Sequence, residues 1–176
     1  ADYELLALRA GASIARAHAV SAHHPQHPGS RIPGVVGLFI VPTNRGDGPP
    51  IAGPDTLAAV AKHLAKTAAP VGVEVVTTAV KFHRVRVELS AVIQPEYSTA
   101  DVTSALIDSI NRYIDYVHGG DDVKGWPFGG PLRYSSLLQR LVRTSGVTAV
   151  PRLSLIVDGR RLPACADYLT PSNELL

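Results

Sequence analysis

The stretch Arg84-Val85-Arg86-Val87-Glu88-Leu89-Ser90-Ala91-Val92-Ile93 decides the fold class. Val85, Val87, Leu89, Ala91 and Ile93 fall on one side of a two-residue period, with Arg84, Arg86, Glu88 and Ser90 on the other. That alternation predicts a strand with one buried and one wet face. Pro95 closes it, and Ser98 or Thr99 offers an N-cap for the next element. Val102, Leu106, Ile110, Tyr113, Ile114 and Val117 then recur at helical spacing, predicting a helix that runs to Gly119-Gly120. Upstream, the run Val35-Val36-Gly37-Leu38-Phe39-Ile40-Val41 reads as a buried strand stopped by Pro42. Leu57, Val60, Ala61 and Leu64 make a helical stripe over residues 55–68, entered at Pro54 and ended by Pro70. Residues 73–79 form a further strand. Downstream come a short helix over 135–143, strands over 147–150 and 153–157, and the hairpin dipeptide Asp158-Gly159 returning through 160–163.

Between residues 35 and 157 the order is therefore strand-helix-strand-strand-helix-helix-strand. This is an α+β, split βαβ or ferredoxin-like order with long Gly/Pro-rich insertions over 43–54 and 119–133. A helix over 2–9, a strand over 13–20 and a His/Pro-rich loop over 21–33 precede it. The expected division is an N-terminal arm over 1–32, a core domain over 33–163 and a C-terminal tail over 164–176.

Composition bounds the function. The chain has 176 residues, enough for a domain that buries roughly 70% of the surface its unfolded form exposes. With 45% hydrophobic and 18% charged residues it is not a disordered chain. Net charge is only +2; thirteen of the seventeen basic residues are Arg, and the one local cluster, Arg160-Arg161, is too short to track a phosphate backbone. No apolar run approaches the ~20 residues that span a bilayer, and no basic, apolar leader opens the sequence, so neither membrane insertion by this segment nor a secretory signal is expected. The single Cys165 permits no internal disulfide and no cysteine-built zinc site, and reads as an inert or half-buried thiol. The absence of Met suggests a segment excised from a longer protein.

Candidate chemistry is thin. His18, His23, His24 and His27 have imidazole density suited to zinc, nickel or copper, but no carboxylate lies between His18 and Ser30 to orient a ring. The loop over 119–130 lacks the Lys-Ser or Lys-Thr of a phosphate cradle, and Asp121-Asp122 reads as a solvated pair rather than a magnesium site. Asp101, Asp108 and Asp115, spaced by seven, read as a solvated helix stripe, and Asp55 stands apart. No Gly-x-Ser-x-Gly elbow is present. RNA binding on an open sheet face is a further alternative, yet Arg84, Arg86 and Glu88 offer no stacking aromatic, with Phe82 and His83 only at the edge. No catalytic, cofactor or metal residue is assigned, and no enzyme activity is expected. There remains Gly125-Trp126-Pro127-Phe128-Gly129, whose rings either pin the loop to its own core or anchor a subunit interface.

At this loop the sequence resembles a family. Gly125-Trp126-Pro127-Phe128-Gly129, a short helix, then Gly146-Val147-Thr148-Ala149-Val150 is similar to the C-terminal region of baseplate J-like proteins, wedge components of contractile phage tails and bacterial contractile injection systems. The order of other segments agrees: Asp2-Tyr3-Glu4-Leu5-Leu6-Ala7-Leu8, Ile14-Ala15-Arg16-Ala17-His18-Ala19, residues 33–42 with their Pro-Gly start and Val-Pro end, and Pro95-Glu96-Tyr97. The resemblance implies a structural, non-enzymatic subunit without cofactors. It would self-associate and contact other wedge proteins, a hub or spike and the sheath, with no nucleic-acid partner. Its place would be the bacterial cytoplasm during assembly, then the tail or injection particle. Trp126, Pro127 and Phe128 are the candidate assembly interface.

Overall fold

The apolar run that predicts a buried strand lies at the centre of a three-stranded sheet. The computed structural model describes residues 2–11, 13–43, 48–67 and 72–176. Contacts divide the chain into two compact units, 1–81 and 82–176. The first contains α1 (Asp2–Leu8), β1 (Ile14–His23), β2 (Arg31–Pro42), α2 (Pro54–Thr67) and β3 (Glu74–Ala79). β2 pairs antiparallel with β1, Ala17 facing Ile40, and parallel with β3, Ile40 facing Ala79. A parallel pair needs a crossover, which α2 supplies. Ala7, Leu38, Ile40, Ala52, Val60 and Leu64 form this unit's core, with Tyr3, Leu6 and Leu57 packed against it. Glu4 on α1 accepts a hydrogen bond from the Ala19 amide of β1 (2.9 Å), so the helix is held to the strand by a polar tie as well as by Ala7 and Leu6.

The second unit holds β4 (Lys81–Phe82) at its entry, β5 (Val85–Ile93), α3 (Thr99–Ile114), α4 (Tyr134–Val142), β6 (Val147–Val157), β7 (Arg160–Arg161) and β8 (Glu174–Leu175). β5 and β6 are antiparallel, with Val87 opposite Leu155 and Leu89 opposite Leu153; Leu153, Leu155 and Val157 are buried, and Arg86 and Ser90 on the other face are exposed. Asp158 (φ 49°) and Gly159 (φ 80°) both adopt left-handed conformations, the pair of positive φ values that a two-residue turn requires, and Val157 faces Arg160 across it.

The α+β class holds, whereas the ferredoxin-like order does not describe the sheets. β2 and β3 lie in one three-stranded sheet, β5, β6 and β7 in another, and β4 pairs with β8. The expected boundaries differ for the same reason. The strand assigned to an arm over 1–32 is paired along its length with β2, the expected core over 33–163 contains the junction at 81/82, and residues 174–175 of the expected tail form a strand. Two local expectations also change. The strands over 147–150 and 153–157 are one strand, because a register shift between Ser90–Arg152 and Val92–Ala149 lifts Pro151 out of the ladder it cannot donate to. The helix from Thr99 stops at Ile114 rather than near Val117, because Asp115 turns extended and its carboxylate takes the Val117 amide (2.8 Å). The expected helix stop at Pro70, the end of that helix at Ala68 and part of the loop over 43–54 lie outside the described residues.

Candidate functional site

The Trp-Pro-Phe loop is built on the end of α3. Asp115 organises it: its backbone carbonyl accepts from both Gly119 (2.8 Å) and Trp126 (3.0 Å), and Gly120 N–H returns to the Tyr113 carbonyl (2.7 Å). Asp115 is thus the hinge between helix and loop rather than the last member of a solvated stripe; Asp101 and Asp108 remain exposed. At the other end Gly129 N–H donates to the Glu174 carbonyl (3.1 Å). Gly129 has φ 67°, and a Cβ there would lie 2.6 Å from the Ser172 backbone, so the close approach of the C-terminal segment requires glycine.

The loop turns Trp126 inward. Its residue exposure is 2%, Nε1–H donates to the Gly130 carbonyl (3.3 Å), and the indole meets Tyr113 edge-to-face at 5.2 Å and 86°. The guanidinium of Arg140 lies over the Tyr113 ring at 4.4 Å, and its Nη2 is 3.8 Å from Asp121. Burial, then the Asp121 charge, pushes the Tyr113 phenol above its ordinary value. Pro127 is exposed and Phe128 half-buried. The three candidate interface residues are therefore not equivalent: one is core, one rim, one surface. Sequence spacing singled out Trp126, but its edge-to-face partner Tyr113, and Arg140 over the Tyr113 ring, were legible only as members of a helical stripe and a helix face.

A second polar cluster went unrecognised in the sequence. His83 is buried, with Nδ1 2.6 Å from Asp158 Oδ2 and 3.1 Å from the Tyr168 hydroxyl, and Nε2 paired with Glu174. Asp158 Oδ1 also accepts the Arg84 amide (2.9 Å). The imidazole ties the start of β5, the β6–β7 turn and β8 together. The signal available was a His preceding the alternating strand and an Asp in a hairpin dipeptide, 75 residues apart.

The other candidates are scattered over both units. His18 lies on β1 and contacts Glu4 at 3.4 Å; burial lowers its pKa, partly countered by the Glu4 charge. His23 tilts against Phe39, His24 Nδ1 accepts the Gln26 amide (3.2 Å), and His24 and His27 rings lie 4.9 Å apart. Among the described residues no three His, Cys, Asp or Glu side chains are grouped to hold a metal ion. On the wet face of β5, Glu88 is paired with Arg161 (2.6 Å) and Arg86 (3.5 Å), and Arg161 holds its carboxyl below the ordinary range. Phe82 packs edge-on against Tyr116. Cys165 is exposed rather than half-buried and contacts Tyr134. Asp121 and Asp122 are exposed. Among the described residues no helix is long and apolar enough to cross a membrane.

No family model and no curated protein matches the chain. Among solved structures, it is similar to a chain of the anti-feeding prophage baseplate, determined by cryo-electron microscopy with six-fold symmetrisation. The two share 15% identity with a TM-score of 0.67, over 99% of this chain and 35% of that one. The fold is therefore shared across nearly the whole sequence, and the chain spans about a third of the length of its structural neighbour.

Proposed function

We propose that the chain is a structural, non-enzymatic baseplate subunit of a contractile tail or contractile injection system, of the baseplate J-like wedge type. The observation that carries this reading is the likeness over 99% of the chain to a baseplate component, reached independently of the ordered motifs that resemble the J-like family. In this reading the subunit associates with copies of itself and with a second wedge protein around a hub and spike, and connects them to the sheath. It is made in the bacterial cytoplasm and ends in the particle. Trp126 supports the loop from behind, while Pro127 and the outward part of Phe128 meet a neighbour.

Electron microscopy of particles purified from the host through the full-length protein tests the assignment. Sheathed tails or six-fold plates containing the chain are expected; a free protein in a host that makes no such particles would overturn it. At the loop, Phe128→Ala is expected to reduce incorporation into particles while the chain keeps its melting midpoint. A large fall in that midpoint with normal incorporation of the folded fraction would assign the ring to the core instead.

A further inference from the structure

The Tyr113–Arg140 stack borders a cavity of about 690 Å³ between α3 and α4. Arg112, Arg140 and Arg143 line it, with the hydroxyls of Ser109, Ser136 and Thr144 among them. Against these three cations the lining has one carboxylate, Asp121, which approaches Arg140 only to 3.8 Å. The guanidinium donors are poorly used. Arg140 Nε is buried with no acceptor, Arg112 spends its Nε on the Asp108 carbonyl (3.3 Å), and Arg143 makes no ion pair or side-chain hydrogen bond among the described residues. Apart from that one buried Nε, water reaches the three guanidinium groups, so what favours an anion is the excess of positive charge that the lining gathers in one cleft. The fork of N–H groups matches a carboxylate in particular.

The shape argues against a bare ion. A second cavity of about 610 Å³ shares Ser109, Arg112 and Arg140, and its further lining is polar, with Asn111, Asp115 and His118, apart from Gly120 and the exposed Val123. A cationic site continuing into a longer, mostly polar groove suits an extended acidic peptide segment, whose successive carboxylates can reach arginines that a single ion cannot span. One of the three guanidinium groups is preformed: Trp126 fixes Tyr113, and Tyr113 fixes Arg140, so Arg140 needs little ordering on binding. We infer that the cleft between α3 and α4 docks an acidic segment of a partner protein, its carboxylate received by Arg112, Arg140 and Arg143. That the partner is another particle subunit rests on the baseplate assignment; the preference for an acidic peptide does not.

The test is a fluorescence-polarisation titration of the full chain with labelled hexaglutamate at low ionic strength, with hexalysine as the opposite-charge probe. Hexaglutamate should bind and hexalysine should not. Arg112→Gln and Arg143→Gln, both at exposed positions, should each weaken binding by about tenfold, the order expected for a charge-assisted contact. Arg160→Gln, which removes the same charge from the β6–β7 hairpin, should leave it unchanged. Equal weakening by Arg160→Gln would reduce the effect to net charge and overturn the site. Displacement of the peptide by inorganic phosphate at the same concentration as by free hexaglutamate would make it a small-anion site instead. A self-associated chain that Arg143→Gln turns monomeric would make the occupant a second copy, overturning the partner. None of these readouts needs a particle, so a failure here leaves the baseplate assignment standing, and missing particles beside a positive titration would remove only that assignment.

Discussion

Trp126 contributes in proportion to what its ring touches. The indole is nearly inaccessible, its N–H is satisfied by Gly130, and its edge-to-face partner Tyr113 in turn carries Arg140. Trp126→Ala should cost about 3–5 kcal/mol, the range for deleting a buried large aromatic, read as a lower denaturation midpoint at unchanged slope. A cost below about 1 kcal/mol, typical of surface changes, would place the ring outside the core. His18 gives a pH-dependent counterpart. Burial lowers its folded pKa below the ordinary 6.5, so the unfolded chain takes up the proton first. Stability should therefore be constant above that value, fall as pH drops through it, and level once the folded state is protonated as well. His18→Gln should flatten that segment of the stability profile between neutral and mildly acid pH; an unchanged profile would assign the dependence elsewhere.

At the scale of elements, the hairpin and the helix end show what a local sequence can specify. Asp158-Gly159 was legible because a two-residue turn with both φ values positive depends on those two residues alone. Gly159 has open space where a Cβ would go, so Gly159→Ala reads the local cost of a left-handed backbone with no clash against other residues and should cost about 1–2 kcal/mol. No measurable loss would mean that the turn had changed type. The strand alternation over Val85–Ile93 and the helical stripe of α3 were legible for the same local reason. What was not legible is long-range. Nothing near Pro151 says that a bulge opposite Ser90 and Val92 will absorb it, and nothing near Val117 says that Asp115 has already ended the helix. The choice between an inward and an outward Trp126 rests on Tyr113, thirteen positions earlier, and on the carbonyl anchor at Asp115. The division of the strands into separate sheets likewise depends on pairings that no periodicity encodes.

Over the whole molecule, the two units are organised differently. In the first, α1 and α2 pack with a sheet whose middle strand runs through the core. In the second, the ends of the unit are joined: His83 N–H donates to the Leu175 carbonyl (2.8 Å), and the His83 ring bridges Asp158 and Glu174. Asp158 is about half-exposed and Glu174 largely covered, so the two contacts of the ring are unequal, the one to Glu174 being better shielded from water. His83→Ala should destabilise the protein by roughly 2–3 kcal/mol, as for a lost hydrogen bond to a charged group that is largely covered. In a double-mutant cycle with Glu174→Ala the two changes should couple by more than about 0.5 kcal/mol, and simple additivity would deny the strut.

The same strut has a consequence for how the protein is made. Its two sides are 91 residues apart, so when His83 leaves the ribosome its partner on β8 has not yet been synthesised. At about 5–20 residues per second that interval is on the order of 5–20 s. During it β5, α3 and α4 exist without the strand that covers Phe82 and His83, so the second unit is a late-maturing one. A factor that guards β5 before its partner strands arrive has that interval in which to act.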